Sequence, residues 1–183
     1  SSGIQTTAPL IAMMNYYAQA FDFKLAQKRS IIDLLFEKNL TTQYRPEMEL
    51  TDMPKYVHIH IEEPELSLDP TSQIQMLNEI IRLAFYAKVD SREIGLVLAT
   101  HSPYIINSLN LLMKAHDCKT DIDGAHVGYD DLSVYQILSG GVADLKVKNI
   151  HYVNTDRLSE DINNIYDKYQ ELKQLQNEES LGK

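Results

Sequence analysis

The sequence predicts an α/β chain, a mainly parallel sheet flanked by helices and followed by a C-terminal strand pair and helix. Two observations carry that expectation. A strand, an acidic turn and a helix over residues 56–89 are followed by a second strand and helix over 94–116, a βαβ pattern whose strands run parallel. The second strand, IGLVLAT from Ile94 to Thr100, is a continuous apolar run, the mark of a strand covered on both faces.

The elements follow in order. Leu10, Met13, Met14, Tyr17, Ala18 and Phe21 recur at steps of three and four, so a helix covers about Gln5 to Phe21. Leu25, Ile31, Ile32, Leu35 and Phe36 place a second helix over Lys24 to Lys38, and a polar loop runs from Asn39 to Pro54. Tyr56 to Ile61 alternates and is β-branched, which makes it a strand. Asp69 is an N-cap with Pro70 at the first helical position, opening a helix to Val89. Ser102 and Pro103 repeat that start for a helix reaching His116. A loop spans Asp117 to Asp131, after which LSVYQILS and GVADLKVKNIHYV read as two strands joined at Ser139-Gly140-Gly141. Asp156 to Gln176 is a charged helix whose Leu158, Ile162, Ile165, Tyr169 and Leu172 alternate steps of four and three. Packing on its own domain is expected of it, rather than a dimeric coil.

At 183 residues and 44% hydrophobic content the chain can bury one core. The partition expected is a single domain with a helical region 1–55, a βαβα core 56–117 and a C-terminal part 118–183. Seventeen basic against 26 acidic residues, net −9, give no general electrostatic reason to bind nucleic acid or an anionic membrane. Cys118 is alone, which excludes an internal disulfide and fits a reducing compartment. No apolar run approaches the ~20 residues that cross a bilayer, so a soluble, cytoplasmic protein is expected, with no membrane partner. The chain opens without an initiator Met, as a piece of something longer would.

The chemistry concentrates in VHIHIEEPELSLDP, Val57 to Pro70. Glu62 and Glu63 follow the first strand and His101 follows the second; neighbouring parallel strands deliver all three to the crevice where α/β proteins bind ligands. One carboxylate there suits a hard divalent cation and the other a proton from an attacking water, while the histidine suits a phosphoryl oxygen. Glu65 is expected to be structural. His58 and His60 form an H-x-H pair without an evident third ligand, so a packed core strand is expected there and no metal.

VHIHIEEPELSLD resembles the Walker B and D-loop region of ABC-type ATPases, and LVLATHSPYIINSLN resembles their H-loop in the form found in the RecF, SMC and overcoming-lysogenization-defect type enzymes. The opening SSGIQ resembles the ABC signature, and the three occur in the family's order over roughly the first 110 residues. The resemblance implies the C-terminal lobe of a P-loop NTPase that binds and hydrolyses ATP with Mg²⁺. It makes Glu62, a Glu where Asp is commoner, the magnesium acid, Glu63 the catalytic acid that polarises water, and His101 the catalytic switch histidine at the γ-phosphate. It places Ser2, Gly3 and Gln5 of the signature and Asp69 of the D-loop at a nucleotide shared across a homodimer.

No G-x-x-x-x-G-K-[ST] occurs in the sequence, so the phosphate-cradling loop of such enzymes is not in this chain, and ATP hydrolysis by this piece alone is not expected. Truncation, proteolysis or a split gene each account for that. DNA repair or phage defence is the expected setting, with DNA or an effector protein as partner. Two other functions stay open: a component of an overcoming-lysogenization-defect type nuclease, disfavoured because no strand-ending Glu with a D-x-D pair follows His101, and a non-catalytic scaffold that keeps the fold, disfavoured by the retention of Glu63 and His101.

Overall fold

The computed structural model describes residues 2–22, 56–89 and 93–181. The expected helix over Lys24 to Lys38 and the loop to Pro54 lie outside the described residues. The chain is mixed α/β and divides into two compact units, Ser1–Thr100 with Asp123–Ala125, and His101–Ile122 with His126–Lys183.

In the first unit, α1 covers Ser2–Asn15 and continues as one π-helical turn, Tyr16–Ala20. Met14 and Ala18, four residues apart and so on one face, are fully buried. The end of α1 is tied down twice: Val89 N–H donates to Ala18 O at 3.1 Å and the Gln19 amide donates to Ala87 O at 2.7 Å.

Strand β1, Tyr56–Glu62, pairs in parallel with β2, Glu93–Ala99, in a register that runs from Tyr56 opposite Glu93 to Glu62 opposite Ala99. Between them α2, Pro70–Ile81, extends through a π-helical turn over Arg82–Tyr86, so it stops three residues short of the expected Val89. Its Met76, Leu77, Ile80, Ile81, Leu83 and Ala84 are buried, as are Ile59, Ile61 and Ile94 of the strands. Alternation sorts the residues of β1 onto two faces. Ile59 and Ile61 turn inward, so His58 and His60 point to the opposite, exposed face.

That corrects two expectations. His58 and His60 are not core residues: the His58 ring stands edge-on to Tyr56 at 4.4 Å, over Gly95, where an added Cβ would lie 2.9 Å from His58 Nδ1. The apolar run of β2 is not covered on both faces among the described residues, since Val97 is 48% exposed. The parallel pairing likewise goes no further among the described residues than this two-stranded sheet, and the other strands form two antiparallel pairs.

Residues Asp123–Ala125 join this unit by docking on α2. Buried Asn78 donates to Asp123 Oδ2 at 3.1 Å, and Gly124 lies so near Arg82 that a Cβ there would sit 3.1 Å from Arg82 Cδ. Gly124 has φ +78°, which glycine adopts without strain. Arg82 is held by a two-pronged bond to Glu79 at 2.6 and 2.7 Å, and the guanidinium lowers the Glu79 carboxyl below its usual range.

The second unit is organised by α3, Pro103–Asp117, whose N-cap Ser102 accepts from Ile105 N–H at 3.3 Å. Ile105, Leu109, Leu112 and Met113 are buried. Strands β3, Tyr135–Leu138, and β4, Gly141–Asp144, form the expected hairpin. The second expected strand does not continue through GVADLKVKNIHYV. It breaks after Asp144 because Leu145 N–H donates to Val134 O, and again at a turn closed by His151 at φ 47°. The remainder is a second hairpin, β5, Lys146–Val147, with β6, Tyr152–Val153. Asn110 of α3 fixes β6 from the side, accepting from Val153 N–H at 2.7 Å and donating to Val153 O at 3.0 Å. Lys146 Nζ donates to the carbonyls of Tyr129 and Leu132, both at 2.6 Å, and lies 4.0 Å above the Tyr129 ring.

The last helix, α4, runs Asp156–Leu181, five residues beyond the expected end. Of the expected stripe, Ile165, Tyr169 and Leu172 are 60 to 70% exposed, so these three do not pack on their own domain, and the side chains of Leu158 and Ile162 lie outside what the structure describes.

Candidate functional site

The parallel pair delivers the acids. Glu62 occupies the last paired position of β1, opposite Ala99, and is exposed. Glu63 takes one further ladder bond, its N–H donating to Ala99 O at 2.8 Å, and then turns the chain with φ 45°. A left-handed backbone is uncommon for a residue with a Cβ and costs about 1–2 kcal/mol. The turn closes behind it: Leu66 N–H donates to Glu63 O and Leu68 N–H to Glu65 O, each at 3.0 Å, with Pro64 buried and Ser67 also left-handed at φ 64°.

The turn ends at Asp69, which caps α2. Its Oδ1 accepts from the N–H of Thr71 at 3.0 Å and of Ser72 at 3.1 Å, and its Oδ2 from the Ser72 hydroxyl at 2.5 Å. These bonds, the Ser72 hydroxyl first, hold the Asp69 carboxyl below the ordinary aspartate range. The residue assigned to a subunit contact thus already has a structural task, holding the first turn of α2.

The signature-like residues lie in the opening turns of α1, beside this turn. Ser2 is the first residue of the helix, Gln5 is exposed, and Gly3 packs on the turn itself: a Cβ there would meet Leu68 Cδ2 at 2.9 Å and Ser67 O at 3.1 Å. Gly3, Glu62, Glu63 and Asp69 therefore belong to one unit, with Gly3 seated against the loop that joins the acids to the cap. His101 stands two positions beyond Ala99 in the chain, is exposed, and belongs to the second unit. Its neighbour Ser102 is a buried cap.

Exposed carboxylate oxygens at a strand end are hard donors of the kind Mg²⁺ takes, and Mg²⁺ is held by one or two carboxylates together with water and phosphate oxygens. Glu62 fits that demand. Among the described residues no group of three His, Cys, Asp or Glu is placed to enclose a metal by protein ligands alone. The residues that sequence reasoning passes over are Ser72 and Gln73. Ser72 completes the cap, and Gln73 Nε2 donates to Leu68 O at 2.9 Å, securing the far end of the turn. The legible signal is DPTSQ, a cap aspartate with a hydroxyl three residues on and an amide four residues on. No family model, curated protein or solved structure matches the chain.

Proposed function

We propose that this chain contributes the acid-bearing half of an ABC-type ATPase head, a P-loop NTPase lobe that acts on Mg-ATP at a head-to-head homodimer in the cytoplasm and serves DNA repair or phage defence. The observation that supports this most is the placement of Glu62 and Glu63 at the carboxyl end of a parallel strand. The second acid is held there in an uncommon backbone conformation, of the kind that clusters at functional sites.

In this reading Glu62 would hold Mg²⁺, which would supply positive charge to the phosphoryl oxygens. Glu63 accepts the proton of the attacking water, and His101 donates to a phosphoryl oxygen of the nucleotide. Ser2, Gly3 and Gln5 offer a helix N-terminus to the partner's nucleotide, and the Asp69 turn lies against the partner. The phosphate cradle comes from a GxxxxGK[ST] segment, which this sequence does not contain, so the chain alone turns over ATP no faster than its Glu63→Gln variant.

The test is the polypeptide that carries this sequence together with its P-loop segment, wild type against Glu63→Gln. The variant loses turnover and accumulates as an ATP-bound dimer. A variant that stays monomeric at saturating Mg-ATP refutes the shared-site reading.

A further inference from the structure

We propose that Gln73 is a positioning residue for Glu63, and that the notch at Gly3 couples the start of α1 to the same turn. The inference deepens the reading above, in which Glu63 is the proton acceptor, and concerns how its position is set.

Glu63 cannot hold a left-handed backbone by local preference, because its side chain carries a Cβ. Something must hold the turn closed. At the near end Glu63 N–H is bonded to Ala99 O, and two short bonds close the turn at Leu66 and Leu68. At the far end the carbonyl of Leu68 accepts from Gln73 Nε2 at 2.9 Å, while Gln73 N–H bonds Asp69 O at 3.0 Å as part of α2. Gln73 therefore grips the turn from the first coil of α2 with both its side chain and its backbone. The Leu68 side chain lies in the space that a side chain on Gly3 would take, its Cδ2 2.9 Å from where a Cβ would sit. Displacing the start of α1 presses on Leu68 and on Ser67 O, and so on the six-residue turn, Glu63 to Leu68, whose first member is Glu63. Occupancy at Ser2, Gly3 and Gln5 is in this way felt at the proton acceptor within one chain.

The experiment compares residue-resolved amide exchange and amide chemical shifts of the whole chain, without nucleotide, for wild type, Gln73→Glu, Gln73→Lys and Gly3→Ala. Gln73→Glu replaces the donor with an acceptor facing Leu68 O, and it speeds exchange at Leu66 and Leu68 roughly tenfold and shifts the Glu63 amide signal. Gln73→Lys, which keeps a donor, restores both. Gly3→Ala moves the Leu68 methyl and Glu63 amide signals together. Exchange at Ile59 and Ile61 stays at the wild-type rate throughout. Wild-type exchange and an unmoved Glu63 signal in Gln73→Glu overturn the proposal, as does acceleration that spreads equally to Ile59 and Ile61. A turn that responds in this way while the P-loop-bearing polypeptide neither binds nor hydrolyses Mg-ATP removes the ATPase reading and leaves the positioning role standing.

Discussion

Replacing Glu63 with glycine stabilises the fold while removing the carboxylate on which the proposed chemistry rests. With φ at 45°, Glu63 occupies a region that costs a residue with a Cβ about 1–2 kcal/mol and glycine almost nothing. Glycine also makes the unfolded chain looser, which offsets about 0.5–1 kcal/mol of that relief. Glu63→Gly is therefore expected to gain about 0.5–1 kcal/mol, or about 1–4 °C in melting temperature for a chain of this size. Glu63→Gln keeps the backbone conformation and its Cβ, and separates charge from strain. Urea unfolding followed by far-ultraviolet circular dichroism, with all three proteins at one pH, reads the differences directly. Glu63→Gly falling below Glu63→Gln by more than about 0.5 kcal/mol refutes the strain argument, because the conformation would then be one the glutamate favours. A gain in stability on losing a site residue is the mark of strain held for function.

Two further predictions concern other parts of the chain. Asn110→Ala strips the bonds from both backbone groups of fully buried Val153 and costs about 2–4 kcal/mol; Asn110→Asp keeps the acceptor for Val153 N–H, turns a carboxylate toward Val153 O, and costs less, again by urea unfolding. The Asp69 carboxyl is lowered by its cap bonds, so its contribution to stability is complete above the ordinary aspartate value and is lost as pH falls through the lowered one, below about pH 4. Acid titration of helicity should show Asp69→Asn, which caps without a titratable group, losing part of that acid dependence; a wild-type acid limb in the variant refutes the assignment.

Much of the chain was legible because its local signals are strong and cooperative. Asp69-Pro70 and Ser102-Pro103 announce helix starts through capping chemistry that needs only neighbours in sequence, and both caps form where expected. The alternation in VHIHIE specified a strand and which residues share a face, since side chains in a strand point to opposite sides by geometry alone. The Ser139-Gly140 turn set the β3–β4 hairpin in the same way. The sequence by itself thus determined element type, starting points and the order of acids, turn and cap.

What it left open were the choices made by contacts between distant residues. Which face of β1 is buried depends on what packs against it in the folded chain, and His58 and His60 ended outside. The long apparent strand after Gly141 was broken where Leu145 N–H turns to Val134 O, 11 residues away, and its last piece, β6, was held by the grip of Asn110 on Val153, 43 residues away. The left-handed Glu63 carries no local signal, because the conformation is one that glutamate avoids and only the surrounding packing imposes. Local propensity decides what a segment becomes. Only the tertiary structure decides which atoms it meets, because those free energies come from burial and from bonds between groups far apart in the chain.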